Sequence, residues 1–248
     1  MKITLIIPCY NEEVNIQKGV LDKIGNYTHD HHMFCEVLIV DDGSTDNTKK
    51  LIKDLYLPRF KQFRLVENKH QGKAIAVISG IQEATCEYVL FSDIDLATPL
   101  EEAEKLVERA QRGAPVIIGS RSTSRRNAPL ARKIMAVGFI VIRNAILGLG
   151  EIRDTQCGFK MFRREEALHI IKRLQVFTPK RAARGASVSA GFDLEFLFIA
   201  KRLGYKISEV AVTWQHVETK NVRVFKDTFE TLRDILRIKR YELLGRYK

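Results

Sequence analysis

VLIVDDGST, residues 37–45, is an apolar run that ends in two aspartates, a glycine and two hydroxyl side chains. Consecutive valine, leucine and isoleucine residues without a polar interruption are typical of a strand buried in a parallel sheet. Gly43 permits a sharp turn after such a strand, and serine and threonine are common where helices begin. The run therefore predicts a strand that turns into a helix, with Asp41 and Asp42 at the carboxyl end of the strand.

The same unit repeats along the first 120 residues, where apolar runs alternate with turns and longer amphipathic stretches. Strands are predicted near residues 3–8, 36–41, 63–67, 88–92 and 115–119, with helices at about 12–24, 45–55, 71–84 and 100–112. This alternation predicts an α/β fold, with a Rossmann-like, mostly parallel central sheet flanked by helices. Such sheets bind ligands at the carboxyl ends of their strands, so the polar residues there are the candidates for chemistry.

Beyond residue 120 the alternation loosens. The elements predicted there are an apolar helix at about 130–148, a polar loop near a site at 178–190, a helix at 192–203, a strand at 206–213 and an amphipathic helix at 226–243. The chain is accordingly expected to divide into a catalytic α/β domain, residues 1–215, and a basic C-terminal helical extension, residues 216–248.

Charge is distributed unevenly along the chain. Residues 1–124 contain 15 Lys/Arg against 18 Asp/Glu, whereas residues 125–248 contain 26 against 12. A basic surface attracts phosphorylated substrates, anionic lipid and nucleic acid alike, so its charge does not choose among them. The sequence has no zinc-finger spacing of cysteine and histidine, no helix-turn-helix pattern and no basic strand with interleaved aromatic residues. These absences from the sequence argue against a nucleic-acid-binding protein.

Three features of the sequence bear on the cellular compartment: the N-terminal residues, the length of the apolar stretches and the spacing of the cysteines. The first residues have no basic leader or cleavage site, and are interpreted as a strand. The apolar stretch Ile134–Ile142 falls well short of the roughly 20 residues that a spanning helix needs. The four cysteines lie far apart without metal-ligand spacing, which favours free thiols in a reducing compartment. These features predict a cytoplasmic protein without a transmembrane helix.

Two pairs of carboxylates follow predicted strands. Asp41 and Asp42 suit hydrogen bonds to a nucleotide base or ribose, although helix capping uses the same residue type. Asp93 and Asp95 close another apolar run, and residues two apart in an extended segment point the same way. The second pair can therefore hold one Mg²⁺ or Mn²⁺ that also grips a diphosphate, although an isolated Asp-x-Asp is common by chance. The choice between the two metals stays open because both accept oxygen ligands.

A further candidate is the segment 68–73, which precedes a predicted helix. Gly72 beside Lys73 suits the close approach of a phosphate, but the spacing is not that of a P-loop, which argues against a P-loop nucleotidase. Helix capping and solvation account for Lys73 equally well. His70 is interpreted as an ordinary loop histidine.

Four motifs occur in order along the chain: IPCYNEE (7–13), VDDGSTD (40–46), GK (72–73) and DID (93–95). Together they closely resemble the inverting family-2 glycosyltransferases of GT-A fold. The later motifs GSR (119–121), DTQCGFK (154–160) and FDLE (192–195) are similar to the dolichyl-phosphate glucosyltransferase and mannosyltransferase branch, with DTQCGFK closest to the glucosyltransferase side. The resemblance implies a hexosyltransferase that uses a nucleotide diphosphate sugar and a dolichyl or other polyprenyl phosphate acceptor. It favours UDP-glucose as the donor, with GDP-mannose as the alternative.

The resemblance also implies roles for individual residues. The residues expected to bind the nucleotide sugar are Pro8, Tyr10, Glu12, Asp41, Asp42, Lys73 and Asp93. Asp93 and Asp95 are the expected metal ligands and, with Asp193, the expected catalytic residues. The residues expected at the acceptor phosphate are Arg121, Arg132 and Gln156. One departure is Ala97, where the family often has a polar third residue of the metal motif, so that water or phosphate would fill the gap.

The implied acceptor sets the expected mechanism. A phosphate monoester is already anionic at neutral pH, so positioning and charge stabilisation carry most of the catalysis, and in-line attack inverts the anomeric centre. An acceptor hydroxyl on a glycan or a protein would instead require a general base near the donor. Asp193 is open to three interpretations, as a base, a partner of Lys or Arg, or a helix cap. A non-catalytic sugar-nucleotide-binding module would be consistent with Ala97.

The C-terminal helix repeats apolar residues at spacings of three and four, with arginines mostly elsewhere around it. Basic amphipathic helices lie on anionic membranes, but packing against the α/β domain or a membrane subunit explains the same pattern. The sequence therefore leaves open a peripheral location on the cytoplasmic face of a membrane.

Overall fold

The computed structural model describes residues 1–121, 130–178, 190–215 and 224–247. Its strands are β1 (Ile3–Cys9), β2 (Phe34–Asp41), β3 (Phe63–Glu67), β4 (Tyr88–Ser92), β5 (Val116–Ser120), β6 (Phe159–Arg163) and β7 (Ile207–Ala211). They form one sheet in the order β3-β2-β1-β4-β6-β5-β7. The pairings are parallel except those of β6, which runs antiparallel to β4 and β5. The predicted α/β fold with a mostly parallel sheet is confirmed, whereas β6 was not predicted.

The helices of the described residues are α1 (Glu13–Gln17), α2 (Val20–Asp30), α3 (Thr48–Leu51), α4 (Lys73–Glu83), α5 (Ala103–Gln111), α6 (Leu130–Leu147), α7 (Arg164–Ile171), α8 (Ala190–Arg202) and α9 (Val224–Leu243). A π-helical turn, Ile52–Tyr56, continues α3, and a 3₁₀ turn, Leu100–Glu102, precedes α5. The helix predicted over 12–24 is divided at Gly19, whose φ of 77° interrupts it. Helix α7 was not predicted, and residues 179–189 of the predicted loop lie outside the described residues.

Helices cover both faces of the sheet, and the side chains of β1 alternate between two apolar cores. Leu5 and Ile7 belong to one core and Ile6 to the other, and all three are fully buried. On the side of Ile6, α4 lies so close to the sheet that a Cβ on Gly80 would be 2.5 Å from the Ile6 side chain. This close packing fixes α4 against β1, and its first residue is Lys73.

The direction of β6 determines what lies at the carboxyl edge of the sheet. Because β6 is antiparallel to β4, its first residue, Phe159, pairs with Ser92, the last residue of β4. The motif that precedes β6, residues 154–158, is thereby brought beside the residues that follow β4. A parallel strand in this place would carry the motif to the opposite edge.

Two cysteines are paired, which corrects the expectation of free thiols. Cys35 and Cys86 form a disulfide with a Cα–Cα distance of 6.8 Å, while Cys9 and Cys157 are free and buried. The pair is distant in sequence but close in space because β2 and β4 flank β1 on either side. Spacing along the chain could not reveal this proximity, since it depends on the order of the strands.

The end of the chain packs on the same core as the rest. Ile235 and Ile238 of α9 are fully buried, and Tyr247 is almost so. The Tyr247 hydroxyl donates a 2.7 Å hydrogen bond to the buried carboxylate of Glu195, which also accepts the backbone N–H of Phe177 at 3.0 Å. The described part of the predicted extension is therefore integrated with the domain that precedes it. No helix of the described residues is long and apolar enough to span a membrane.

Candidate active site

Side chain–backbone hydrogen bonds join the loop after β1 to the loop after β2. Asn11, held at a φ of 54°, accepts the backbone N–H of Thr45 at 2.8 Å and donates its own backbone N–H to Ser44 at 2.9 Å. The backbone N–H of Glu12 donates to Thr48 Oγ1 at 2.8 Å. Three residues expected at the nucleotide lie on β1 or the loop after it: Pro8, Tyr10 and Glu12. The two loops therefore form one structured border at the carboxyl edge.

Asp41 and Asp42 hold backbone turns. The fully buried carboxylate of Asp41 accepts the backbone N–H groups of Gly43 and Ser44, each at 3.1 Å. The Asp42 carboxylate accepts the backbone N–H of Gly72 at 2.7 Å and lies 2.8 Å from Nδ1 of His70. Direct contact of either carboxylate with a nucleotide stays a prediction. Their observed contacts shape the loops that would receive one.

His70 is more than a solvated loop residue. Its ring stacks on that of Tyr10, with the centroids 4.1 Å apart and the planes inclined by 19°. Asp42 orients the same imidazole from the other loop. This contact could not be predicted from the sequence, because His70 and Tyr10 are far apart in the chain and lie on different loops. The pair supplies an aromatic surface beside the expected nucleotide site.

Four charged residues that were predicted from the sequence come together at the end of β4. Lys73, the first residue of α4, donates from Nζ to Oδ1 of Asp93. Burial alone would lower the pKa of Lys73, but the charges of Asp93, Asp193 and Asp95 raise it above its usual value. Burial raises the pKa of Asp95, and the charge of Asp93 adds to this shift. Three carboxylates therefore lie within electrostatic range of one lysine.

The donor set of Asp93 and Asp95 fits a divalent cation. Two neighbouring carboxylates in a partly buried setting repel each other, and a hard cation with oxygen ligands would offset that repulsion. Ala97 donates its backbone N–H to Asp95 Oδ1 at 3.0 Å, and its carbonyl accepts the backbone N–H of Gln215 at 2.7 Å. Ala97 thus orients a carboxylate through its backbone and offers no side-chain ligand, so the remaining ligands would come from water or a diphosphate.

Gly158 lies against the Asp93 carboxylate. A Cβ on this glycine would be 2.1 Å from Oδ2 and 2.6 Å from Cγ of Asp93, distances that no packing tolerates. The contact exists because β6 begins where β4 ends. The glycine of the DTQCGFK motif is therefore needed for the position of Asp93.

Lys160 is a buried cation that the sequence did not single out. Its side chain is 1% exposed, and Nζ donates to Oδ1 of Asp193 at 2.7 Å and to the carbonyl of Cys157. The ammonium group also lies 5.3 Å from the centre of the Phe91 ring. Of the three interpretations left open for Asp193, the described contacts favour the partner of a lysine. A lysine on a strand is usually solvated, so only its partner's position reveals its role.

Arg121 and Asp154 form a bidentate ion pair where β5 ends. Nε and Nη2 of Arg121 donate to the two carboxylate oxygens of Asp154 at 2.7 and 2.9 Å. The guanidinium also lies 5.9 Å from the Trp214 ring. Gln156 donates its backbone N–H to Asp154 at 3.1 Å, so two residues expected at the acceptor phosphate share one carboxylate. The side chain of Arg132, the third, lies outside the described residues.

The pair predicts a pH-dependent stability. Burial alone would raise the pKa of Asp154, but hydrogen bonds and the positive charge of Arg121 hold it well below its usual range. When a carboxyl group has a lower pKa in the folded state, its charged form stabilises the protein at pH values above the unfolded-state pKa, which is about 3.9. This stabilisation is lost as the pH falls through the lower folded-state pKa. We expect Asp154→Asn to lower the free energy of unfolding by about 3 kcal/mol at pH 7, and by progressively less below about pH 4.

Urea unfolding at a series of pH values measures this difference. The matched control is Asp30→Asn, which changes an exposed aspartate at the end of α2. A loss of stability in Asp154→Asn that stays constant down to pH 3 would mean that packing, and not the ion pair, accounts for the effect.

Comparison with known proteins places this arrangement in a family. Residues 4–169 match the family model "Glycosyl transferase family 2". The chain belongs to glycosyltransferase family 2. The dolichyl-phosphate beta-glucosyltransferase of Dictyostelium discoideum is 31% identical over 99% of this chain and 76% of its own length. That of Saccharomyces cerevisiae is 29% identical over 99% of this chain and 76% of its own length.

Solved structures agree on the fold of this family-2 glycosyltransferase. Glucosyl-3-phosphoglycerate synthase from Mycobacterium tuberculosis, in complex with Mn²⁺, UDP and glucosyl-3-phosphoglycerate, has a TM-score of 0.66 and 20% identity. The match covers 96% of this chain and 79% of the synthase chain. The predicted GT-A fold and glycosyltransferase activity are confirmed. The roles of the individual site residues stay predictions.

Proposed function

We propose that this glycosyltransferase moves glucose from UDP-glucose to a dolichyl or related polyprenyl phosphate, with inversion at the anomeric carbon. The observation that carries the proposal is the contact between Gly158 of DTQCGFK and Asp93 of the Asp-x-Asp motif. It joins the segment that resembles dolichyl-phosphate glucosyltransferases to the carboxylates expected at the donor. Relatives named as dolichyl-phosphate beta-glucosyltransferases match nearly the whole chain, which supports the same acceptor and sugar.

The donor would bind between the loops after β1, β2 and β4. Tyr10 and His70 offer a stacked aromatic surface for a base, while the loops that Asp41 and Asp42 hold would enclose the ribose. Lys73 lies beside Asp93, and its ammonium group would bind the diphosphate of the donor there. Support for a uridine nucleotide and Mn²⁺ comes from the complex of the structural relative. The cation, held by Asp93 and Asp95, would stabilise the negative charge of the departing nucleotide diphosphate.

The acceptor phosphate would bind near the end of β5, on the Arg121 side of the carboxylates. The Arg121 guanidinium is held by its bidentate ion pair with Asp154, and its other N–H donors would be available to the acceptor phosphate. Arg132 and Gln156 are proposed as the other phosphate contacts.

Lys160 keeps the carboxylate of Asp193 paired at 2.7 Å. A phosphate monoester is already an anionic nucleophile at neutral pH and does not need a general base to activate it, so positioning dominates the proposed reaction.

Transfer of labelled sugar to lipid tests the proposal. UDP-glucose and GDP-mannose are each incubated with Mg²⁺ or Mn²⁺ and a short polyprenyl phosphate in detergent. We expect lipid-extractable label from UDP-glucose, and a loss of about 1,000-fold or more in Asp95→Asn, because the isosteric amide cannot supply the charge that holds the metal.

The control for this experiment is Asp54→Asn, which alters an exposed aspartate on the π-helical turn and should retain full transfer. Label from GDP-mannose alone would replace the proposed donor. Donor binding without lipid product, combined with transfer to a glycan or protein hydroxyl, would overturn the phosphate acceptor.

A further inference from the structure

Helix α9 carries apolar side chains on two different faces. One face packs against α8 and α6 and contains Ile235 and Ile238, which are fully buried. The other face contains Phe229, Leu236 and Leu243, which are 64%, 61% and 78% exposed. These three side chains are spaced seven residues apart and therefore form one stripe along the helix. Packing on the domain accounts for the first face and leaves the second unexplained.

Arginines line the exposed stripe. Arg233 and Arg240 are exposed and follow Phe229 and Leu236 by four residues, which places them along the same side of the helix. The Arg233 guanidinium lies 6.0 Å from the Phe229 ring centre. Between Phe229 and Leu243 the exposed surface of α9 thus carries large apolar side chains beside cations, on a chain whose net charge is +11.

The geometry points to a bilayer surface that contains anionic lipid as the occupant of this stripe. Apolar side chains on one face would enter the boundary between headgroups and acyl chains, while the flanking arginines would meet lipid phosphates. A protein partner with an apolar groove would match the leucines but would not need cations along their whole length. This inference rests on the proposed function, because an enzyme with a lipid-phosphate acceptor must reach that acceptor in a membrane.

Vesicle flotation of the full chain tests the inference without donor or acceptor. We expect binding to vesicles of phosphatidylcholine with about 30% phosphatidylserine, and weaker binding to phosphatidylcholine alone. Leu236→Ser should lower the partition coefficient roughly tenfold on the mixed vesicles. Leu55→Ser is the matched apolar control, because Leu55 is 57% exposed but lies on the π-helical turn, and it should leave binding unchanged.

The contribution of charge is measured separately. Arg233→Gln with Arg240→Gln should weaken binding to the mixed vesicles roughly 30-fold and leave binding to neutral vesicles unchanged. The matched control, Lys61→Gln with Arg112→Gln, removes the same charge from exposed positions outside α9 and should bind as the unaltered protein does. Equal losses in both double variants would show net charge to be the cause and would overturn the role of α9.

Two further outcomes would contradict the inference. One is the absence of vesicle binding by the unaltered chain. The other is a dimer in sedimentation velocity that Leu236→Ser dissociates, which would assign the stripe to a second copy of the chain. Failure of the inference is distinguishable from failure of the proposed function, because transfer to a short polyprenyl phosphate in detergent requires no vesicle.

Discussion

Gly158→Ala is expected to lower sugar transfer about 100-fold or more while the protein stays folded. The added methyl group would lie 2.1 Å from Oδ2 of Asp93, so one of the two must move. The carboxylate is the group that can yield, because it ends a short side chain at the edge of the sheet. Its displacement would separate Asp93 from Lys73 and spoil the pair of carboxylates expected to hold the metal.

The matched control is Gly138→Ala, since a Cβ on Gly138 of α6 would meet no atom of the described residues within 4 Å beyond its own helix backbone and chain neighbours. Alanine there should preserve transfer, because it only improves helix propensity. Transfer rates and thermal unfolding are measured for both variants. Full activity in Gly158→Ala would show that the position of the Asp93 carboxylate is unimportant to the reaction, and would remove the link on which the proposed function rests.

Lys160→Met is expected to lower the free energy of unfolding by about 3 kcal/mol or more, and to reduce transfer as well. The substitution keeps most of the length of the buried side chain but removes the charge that pairs with Asp193 and the donor to the Cys157 carbonyl. The main cost is that the carboxylate of Asp193 is left without its cation in a mostly buried position. Denaturant unfolding measures the loss.

A double-mutant cycle separates the ion pair from packing. Lys160→Met combined with Asp193→Asn should recover part of the stability lost in Lys160→Met alone, because the neutral amide needs no counter-charge. Additive losses in the double variant would mean that Lys160 and Asp193 do not stabilise each other, whatever their distance. Partial recovery of stability without recovery of transfer is the expected pattern if the carboxylate itself positions a substrate.

The strand ends that carry the carboxylates could be predicted from the sequence, because burial on both faces leaves a distinctive apolar run. β2 and β4 each end in such a run, and Asp93 and Asp95 lie where the pattern predicts. The α/β class could likewise be predicted, from the alternation of apolar runs with longer amphipathic stretches along the chain. Both features depend on residues that are neighbours along the chain, and such neighbours can be read directly from the sequence.

The contacts across the sheet could not be predicted in the same way. β6 contains Lys160 and Arg163 and has no uninterrupted apolar run, so nothing local marks it as a strand between β4 and β5. Its lysine is tolerated only because Asp193 arrives from α8. The disulfide of Cys35 and Cys86 and the stack of His70 on Tyr10 likewise depend on strand order, which the sequence leaves open.

The carboxylates of Asp41 and Asp42 illustrate a different limit. Two adjacent aspartates suggested a ligand site, since one residue suffices to begin a helix. In the structure each carboxylate accepts backbone N–H groups from a different loop segment. Residue type and position predicted that these side chains matter, but a carboxylate that holds a loop and one that holds a ligand have the same sequence signature.

The place of β6 between β4 and β5 constrains the order in which the sheet can assemble during synthesis. β5 leaves the ribosome before β6, but in the sheet that the described residues form its neighbours are β6 and β7. The strands β1 to β4 can pair with one another as soon as they emerge, whereas β5 must wait for the segment around residue 159. We therefore expect the part of the sheet formed by β1 to β4 to assemble first and β5 to β7 to pair with it later, with long-range strand pairing as the slow event.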